Sequence, residues 1–183
     1  MRRVAALLVH HPVLDRQAAI VTTAITNLDL HDIARSAYTF GLGDFFVSHP
    51  VAAQRELALR VREHWTNGSG AKRIPDRKPP MERLTIVESV EHALDALAPA
   101  ELWVTSAQDG AGATSYRRAR EQLAEPGRNV LLTFGTGWGL GPEVLARAAL
   151  RLEPIRSPRA DGFNHLSVRA AAAITFERLL GVQ

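Results

Sequence analysis

The chain has 183 residues, enough for one domain with a sizeable core, and its 46% apolar and 22% charged residues are the proportions of a soluble globular protein. It has no cysteine, which excludes disulfides, a thiolate nucleophile and any Cys-ligated zinc or iron–sulfur centre. The net charge is +3 and the pI about 9.9, carried almost wholly by arginine, with Lys72 and Lys78 the only lysines. Arginine is the better fork for phosphate, although a compositional bias towards Ala, Arg and Leu accounts for the same excess.

Residues 4–9 read as a first buried strand. Their apolar run is too short for a signal peptide, no small-residue cleavage site follows, and no run approaches a membrane span. A cytoplasmic location is expected by elimination. Residues 11–29 read as a loop. Asp29 is placed as the N-cap of a helix over 30–40, with Ile33, Ala34, Ala37 and Phe40 on one face and Gly41 closing it. Residues 44–48 are a second strand, and 51–65 a helix with Leu57, Leu59, Val61 and Trp65 as its buried positions. The glycine- and proline-rich stretch 66–82, which carries Lys72, Arg73, Arg77 and Lys78, reads as a long mobile loop.

Further strands are predicted at 84–87, 101–106, 130–134 and 152–155. Helices are predicted at 88–97, 114–123, 142–150 and, rich in alanine, 167–180, with a loop at 161–164. Strands alternate with helices, so the fold class is α/β, a mainly parallel sheet flanked by helices in a single domain over 1–183.

The most informative segment follows the strand at 130–134. Glycine falls at every second position, Gly135, Gly137, Gly139 and Gly141, and then Pro142 and Glu143 suit the start of a helix. Glycines let backbone approach a ligand where a Cβ would clash. The dinucleotide spacing G-x-G-x-x-G fails, because the sixth position is Leu140 counted from Gly135 and Pro142 counted from Gly137. A phosphate loop of the Walker type fails for want of a lysine. An ordinary glycine-rich turn and a ligand cradle both remain open on this evidence.

Three segments in order resemble the motifs of the SPOUT (α/β-knot) RNA methyltransferases, and most closely their small single-domain bacterial members. Residues 27–41 (NLDLHDIARSAYTFG) are similar to the first motif, 130–145 (VLLTFGTGWGLGPEVL) to the second, and 164–174 (NHLSVRAAAAI) to the third. The chain departs from the family at Thr136, where an acidic residue is common. It departs again at Asn164-His165-Leu166-Ser167, where the ribose-modifying branch has Leu-Asn-Val-Ser.

The resemblance implies a deep trefoil knot in the C-terminal third, about residues 129–181, and a homodimer whose active site takes residues from both subunits. It implies that S-adenosylmethionine (SAM) binds against Thr133, Phe134, Gly135, Gly137 and Gly139, against Leu152 and Ile155, and against His165, Leu166 and Ser167. The implied substrate is RNA, with tRNA favoured because no separate RNA-binding domain is present. The acceptor is a ribose 2′-hydroxyl or a base nitrogen. Methyl transfer from a sulfonium needs alignment and an oriented acceptor rather than a protein nucleophile. Arg35 matches the motif-one arginine and is assigned phosphate or ribose orientation, since its pKa makes it a poor base; Asn27 would shape the site.

Plainer readings stand beside these. Arg35 is also a solvated mid-helix arginine, and Asn27 a turn or cap residue. His31 and Asp32 are first-turn surface residues or acid–base candidates, and His165 is a ligand contact or a cap of the last helix. Arg169 sits near a helix N-terminus, where a cation is out of place, and so points to an anion partner. Arg156, Arg159, Arg169, Lys72 and Arg73 are candidates for RNA contact. His10-His11 lacks a spaced third ligand, so no metal is expected. Two other classes remain as alternatives: a non-catalytic RNA-binding module that keeps the knot, and a nucleotide- or flavin-binding α/β protein.

Overall fold

The apolar runs become a six-stranded sheet, all parallel, in a computed structural model that describes residues 2–182 except Asp109 and Ala111. Its strands are β1 (Val4–Val9), β4 (Asp44–Ser48), β5 (Leu84–Val87), β6 (Ala100–Val104), β7 (Asn129–Gly135) and β8 (Leu150–Arg151), in the order β5-β4-β1-β7-β6-β8. Side chains of a strand alternate between faces. Ala6 and Leu8 accordingly join one apolar core, with Phe134 and Phe176, and Ala5, Leu7 and Val9 join the other, with Leu131 and Val104. Burial on both faces explains why these strands read as continuous apolar runs.

The chain runs outward from β1 to β4 and β5, then crosses to the other side of β1 to lay down β6, β7 and β8. The order therefore reverses between β1 and β7. In such sheets ligands collect at the carboxyl ends of the strands beside that reversal. The glycine loop begins there, because Val9 is paired with Gly135.

Between β1 and β4 lie a short hairpin, β2 (Val13–Leu14) with β3 (Ile20–Val21), and helix α1 (Asn27–Thr39). The helix starts earlier than the sequence suggests, because the hydroxyl of Thr26 accepts from the backbone N–H of Asp29 and caps it. Gly41 ends it with φ +76°. The hairpin falls inside the stretch predicted as loop; two-residue strands leave no periodicity to read.

Helix α2 (Ala52–Thr66) buries Ala58 and Thr66 instead of the predicted leucines, and Leu57 and Leu59 are exposed. Val61 and Trp65 do pack on the core. Segment 66–82 is not a loop but folds as α3 (Ser69–Arg73), a 3-10 turn (Pro75–Arg77) and α4 (Lys78–Glu82). Pro75 and Pro79 sit in first turns, where a missing N–H costs nothing, and Met81 is fully buried against α1 and α2.

The remaining helices are α5 (Val90–Ala96), α6 (Tyr116–Ala124), α7 (Pro142–Ala146) and α8 (Val168–Leu180). Helix α7 is shorter than predicted, so β8 comes two residues earlier and residues 152–155 are an extended lead into the loop before α8. Among the described residues no helix is long and apolar enough to cross a membrane.

Candidate functional site

The glycine loop is zipped to the chain leaving β1. Thr136 N–H donates to Val9 O at 3.2 Å, Trp138 N–H to Leu14 O at 2.8 Å, Leu14 N–H to Gly139 O at 2.9 Å and Gly141 N–H to Pro12 O at 2.9 Å. These bonds need close backbone approach. A Cβ at Gly137, where φ is +59°, would lie 2.7 Å from Leu14 O, and one at Gly135 would lie 2.8 Å from Leu140 N. Gly139, with φ +115°, faces open space. Three of the four glycines thus serve the packing of the loop on its own chain (Gly141 against Pro12), and Gly139 leaves room outside it.

Beneath the loop runs a buried polar chain. Thr136 Oγ1 donates to Val9 O, so the hydroxyl of Thr23 donates to Thr136, and His10 Nδ1–H must then donate to Thr23 Oγ1 at 3.0 Å. That leaves His10 Nε2 an unprotonated acceptor, fully buried and without a hydrogen-bond partner among the described residues. His49 lies beside it with ring centroids 5.6 Å apart. Its Nδ1 accepts from Val51 N–H and its Nε2–H donates to Thr23 O. Burial pushes His10 down to about 4, with neighbouring His49 adding to the effect, and burial also lowers His49. Both rings are neutral at pH 7. No group of three metal-ligating side chains occurs among the described residues.

A second polar link joins α1 to α8. The side chain of Asp29, 9% exposed, accepts from the Thr26 hydroxyl at 2.7 Å and from Arg169 Nη1 at 2.8 Å, and Arg169 Nε faces Asp32 Oδ2 at 3.3 Å. The anion that Arg169 needs near a helix N-terminus is therefore supplied by the chain itself. Ser167 Oγ caps α8 by accepting from Ala170 N–H. Asn164 Nδ2 donates to Ile155 O at 2.9 Å and ties the loop before α8 to residues 152–155. Trp138 of the glycine loop and Phe163 of this loop flank His165, with ring centroids 6.3 and 6.4 Å away. Both large rings are mostly exposed.

Comparison with known proteins decides what this arrangement is. A family model for SAM-dependent RNA methyltransferases matches residues 3–181. The chain belongs to the SAM-dependent RNA methyltransferases. It is 44% identical over 184 residues to a tRNA (guanine-N(1)-)-methyltransferase of Nitratidesulfovibrio vulgaris, covering 98% of this chain and 42% of that protein. This methyltransferase thus spans less than half the length of that curated relative. Its fold is that of SPOUT methyltransferases. TrmJ of Z. mobilis superposes with a TM-score of 0.64 at 16% identity, over 100% of this chain and 70% of the other. A structure described as concerning 2-OH methylation of C/U34 on tRNA superposes with 0.57 at 18%, over 98% and 89%.

In the methyltransferase, the sequence-derived site residues divide into groups. Thr133 and Phe134 are buried in β7 below the glycine loop; Leu152 is buried and Ile155 half-buried where Asn164 holds the lead into the last loop. His165, Leu166 and Ser167 are exposed in that loop, beside Trp138. Asn27 and Arg35 are exposed, at the first turn and on the outer face of α1. Lys72 and Arg73 are exposed on α3. Arg156 is exposed, and Arg159 is ion-paired to Asp161 two residues on.

His31 is no surface residue. It is buried edge-on against Trp65, and burial, then Arg77, lowers its pKa, which leaves a poor acid–base candidate. Sequence reasoning passed over Thr23, His49 and Trp138. The one available signal was His10, placed at the end of the first strand beside the glycine loop.

Proposed function

We propose that this methyltransferase acts on tRNA and transfers the methyl group to a ribose 2′-hydroxyl, with a base nitrogen as the competing acceptor. The observation that carries the reading is the Asp29–Arg169 pair, which fastens the helix bearing Arg35 to the helix whose leading loop holds His165, Leu166 and Ser167. An acceptor-orienting arginine and the last cofactor loop then belong to one rigid unit. The likeness to a structure described as concerning 2-OH methylation on tRNA supports the ribose. The guanine-N1 activity in the name of the N. vulgaris relative belongs to a protein more than twice as long and is not carried over.

The residues suit the cofactor. Gly139 opens onto free space, Trp138 next to it and Leu166 in the last loop present exposed apolar side chains, and the glycine loop presents backbone rather than charged side chains, as an adenosine requires. Thr133, Phe134, Gly135, Gly137 and Gly139 would form the floor, Leu152 and Ile155 one wall, and His165, Leu166 and Ser167 the other. SAM supplies an electrophilic methyl group on a sulfonium. Bound there, it would let the methyl group pass directly to the acceptor oxygen, with the sulfonium sulfur as leaving group and the hydroxyl proton lost to solvent. Arg35 orients the nucleotide through its phosphate or ribose, and Asn27, at the start of α1 two residues before Asp29, shapes the entrance. Arg156, Arg159, Lys72 and Arg73 supply further RNA contacts.

The reading includes the knot over residues 129–181, a homodimer and a cytoplasmic setting. Exposed apolar side chains such as Leu28 and Leu166 provide surface for self-association. The direct test is nucleoside mass spectrometry of tRNA incubated with SAM and the protein. A 2′-O-methylated nucleoside is expected, and a base-methylated product would assign the other acceptor.

A further inference from the structure

Several arginines are already taken up in ion pairs, among them Arg2 with Glu101, Arg3 with Asp44, Arg117 with Glu121 and Arg147 with Glu91. Three others are not. Arg35 projects from α1, Arg62 from α2 and Arg77 from the 3-10 turn, and among the described residues none of them has a carboxylate within ion-pair reach. Asp32, three residues before Arg35 on α1, is engaged by Arg169.

Arg77 and Arg62 both neighbour Trp65. The guanidinium of Arg77 lies 4.8 Å from the ring centroid of Trp65, a cation–π contact that fixes its direction. Arg62 stands three residues before Trp65, on the neighbouring position of the same helix face, and its Nε is buried without a hydrogen-bond partner. His31 packs edge-on against the same indole at 5.0 Å, with both ring nitrogens buried and unpartnered. Arg77 and Arg35 both act on His31 electrostatically, and both disfavour its protonation. A neutral imidazole lets cations crowd a spot that a charged one would forbid.

We propose that Arg62 and Arg77, beside Trp65, form a binding tract for the RNA phosphate backbone. The inference rests on the RNA-methyltransferase reading and deepens it. Segment 66–82 becomes the element that aims Arg77 across α1, so that backbone phosphates held there lead to the nucleotide oriented by Arg35. Planar guanidinium forks without internal carboxylates are the groups that recognise phosphate by paired hydrogen bonds.

The test is fluorescence anisotropy with a labelled single-stranded RNA and with bulk tRNA, at several salt concentrations. The variants are Arg77→Gln and Arg62→Gln, with Arg117→Ala as control, and calorimetric SAM binding checks each. Each of the two glutamine variants is expected to lower the slope of log affinity against log salt by about 0.7–0.9, to weaken both RNAs alike, and to leave SAM binding unchanged. Arg77→Lys, which keeps the charge but loses the flat stack, is expected to keep most of the slope. Slopes for Arg77→Gln and Arg62→Gln equal to that of Arg117→Ala would overturn the tract while leaving the methyltransferase reading intact. Absence of RNA binding by the wild-type protein would overturn both. Competition by polyglutamate as effective as by RNA of equal charge would overturn the phosphate assignment.

Discussion

Arg169 Nη1 donates to Asp29 Oδ1 at 2.8 Å and joins the first turn of α8 to the first turn of α1. The carboxylate is almost buried and keeps only the Thr26 hydroxyl as a donor if the arginine is lost. Removing one partner of such a pair costs more than the pair contributes, because the remaining charge stays desolvated. The guanidinium is about a third exposed, which moderates the cost. Arg169→Ala is expected to lower unfolding free energy by about 2–3 kcal/mol, read from urea denaturation. Asp29→Asn, which leaves an acceptor for Arg169, should cost less. Equal costs would show that the charge itself contributes nothing.

The buried histidines make stability depend on pH. His10 ionises at about 4 in the folded protein, against 6.5 when unfolded, chiefly because it is buried. Its neighbours are Thr23, His49, which opposes protonation, and Asp29, which favours it. A lowered histidine pKa means that the unfolded chain binds the proton more readily. The contribution is whole above pH 6.5 and is lost as pH falls from 6.5 to 4, to a total of roughly 3 kcal/mol from His10 alone. His31 and His49 shift in the same direction and steepen the fall. Denaturation midpoints at pH 7, 6 and 5 check this. His10→Asn, whose amide can still donate to Thr23, should flatten the profile by one proton.

The glycines are separable by experiment. Gly41 and Gly137 both have positive φ, but a Cβ at Gly41 meets nothing and one at Gly137 meets Leu14 O at 2.7 Å. Gly41→Ala should cost about 1 kcal/mol, the strain of the left-handed backbone alone. Gly137→Ala must also move backbone, and should cost more than about 2 kcal/mol and weaken SAM binding in calorimetry. Equal losses would mean that the loop yields freely at Leu14.

The strands β1, β4 and β7 were legible because both faces of each are largely buried, so their apolar runs are nearly continuous. The glycine loop was legible as a special place, but its physical reason was not: residues 12–14, far away in sequence, supply the backbone that Gly135, Gly137 and Gly141 must approach. Segment 66–82 misleads because Gly68, Gly70, Pro75, Pro79 and Pro80 are turn residues locally, and the burial of Met81 between α1 and α2 overrides them. His31 and Arg169 misled for a similar reason. His31 looked like a surface group of its own helix and Arg169 like a cation in want of an outside anion, and Trp65 for one and Asp29 for the other come from elsewhere in the chain. Tertiary partners of this kind leave no trace in local spacing.

In the proposed reaction, methyl transfer depends on Arg35 to orient the acceptor. Tritiated methyl transfer from SAM into tRNA, measured for the wild type and Arg35→Ala beside calorimetric SAM binding, tests it most directly. The wild type is expected to label tRNA. Arg35→Ala should lose at least about 100-fold in rate while binding SAM within roughly threefold of the wild-type affinity. A variant that labels tRNA at the wild-type rate, or a wild-type protein that binds no SAM, would contradict the account.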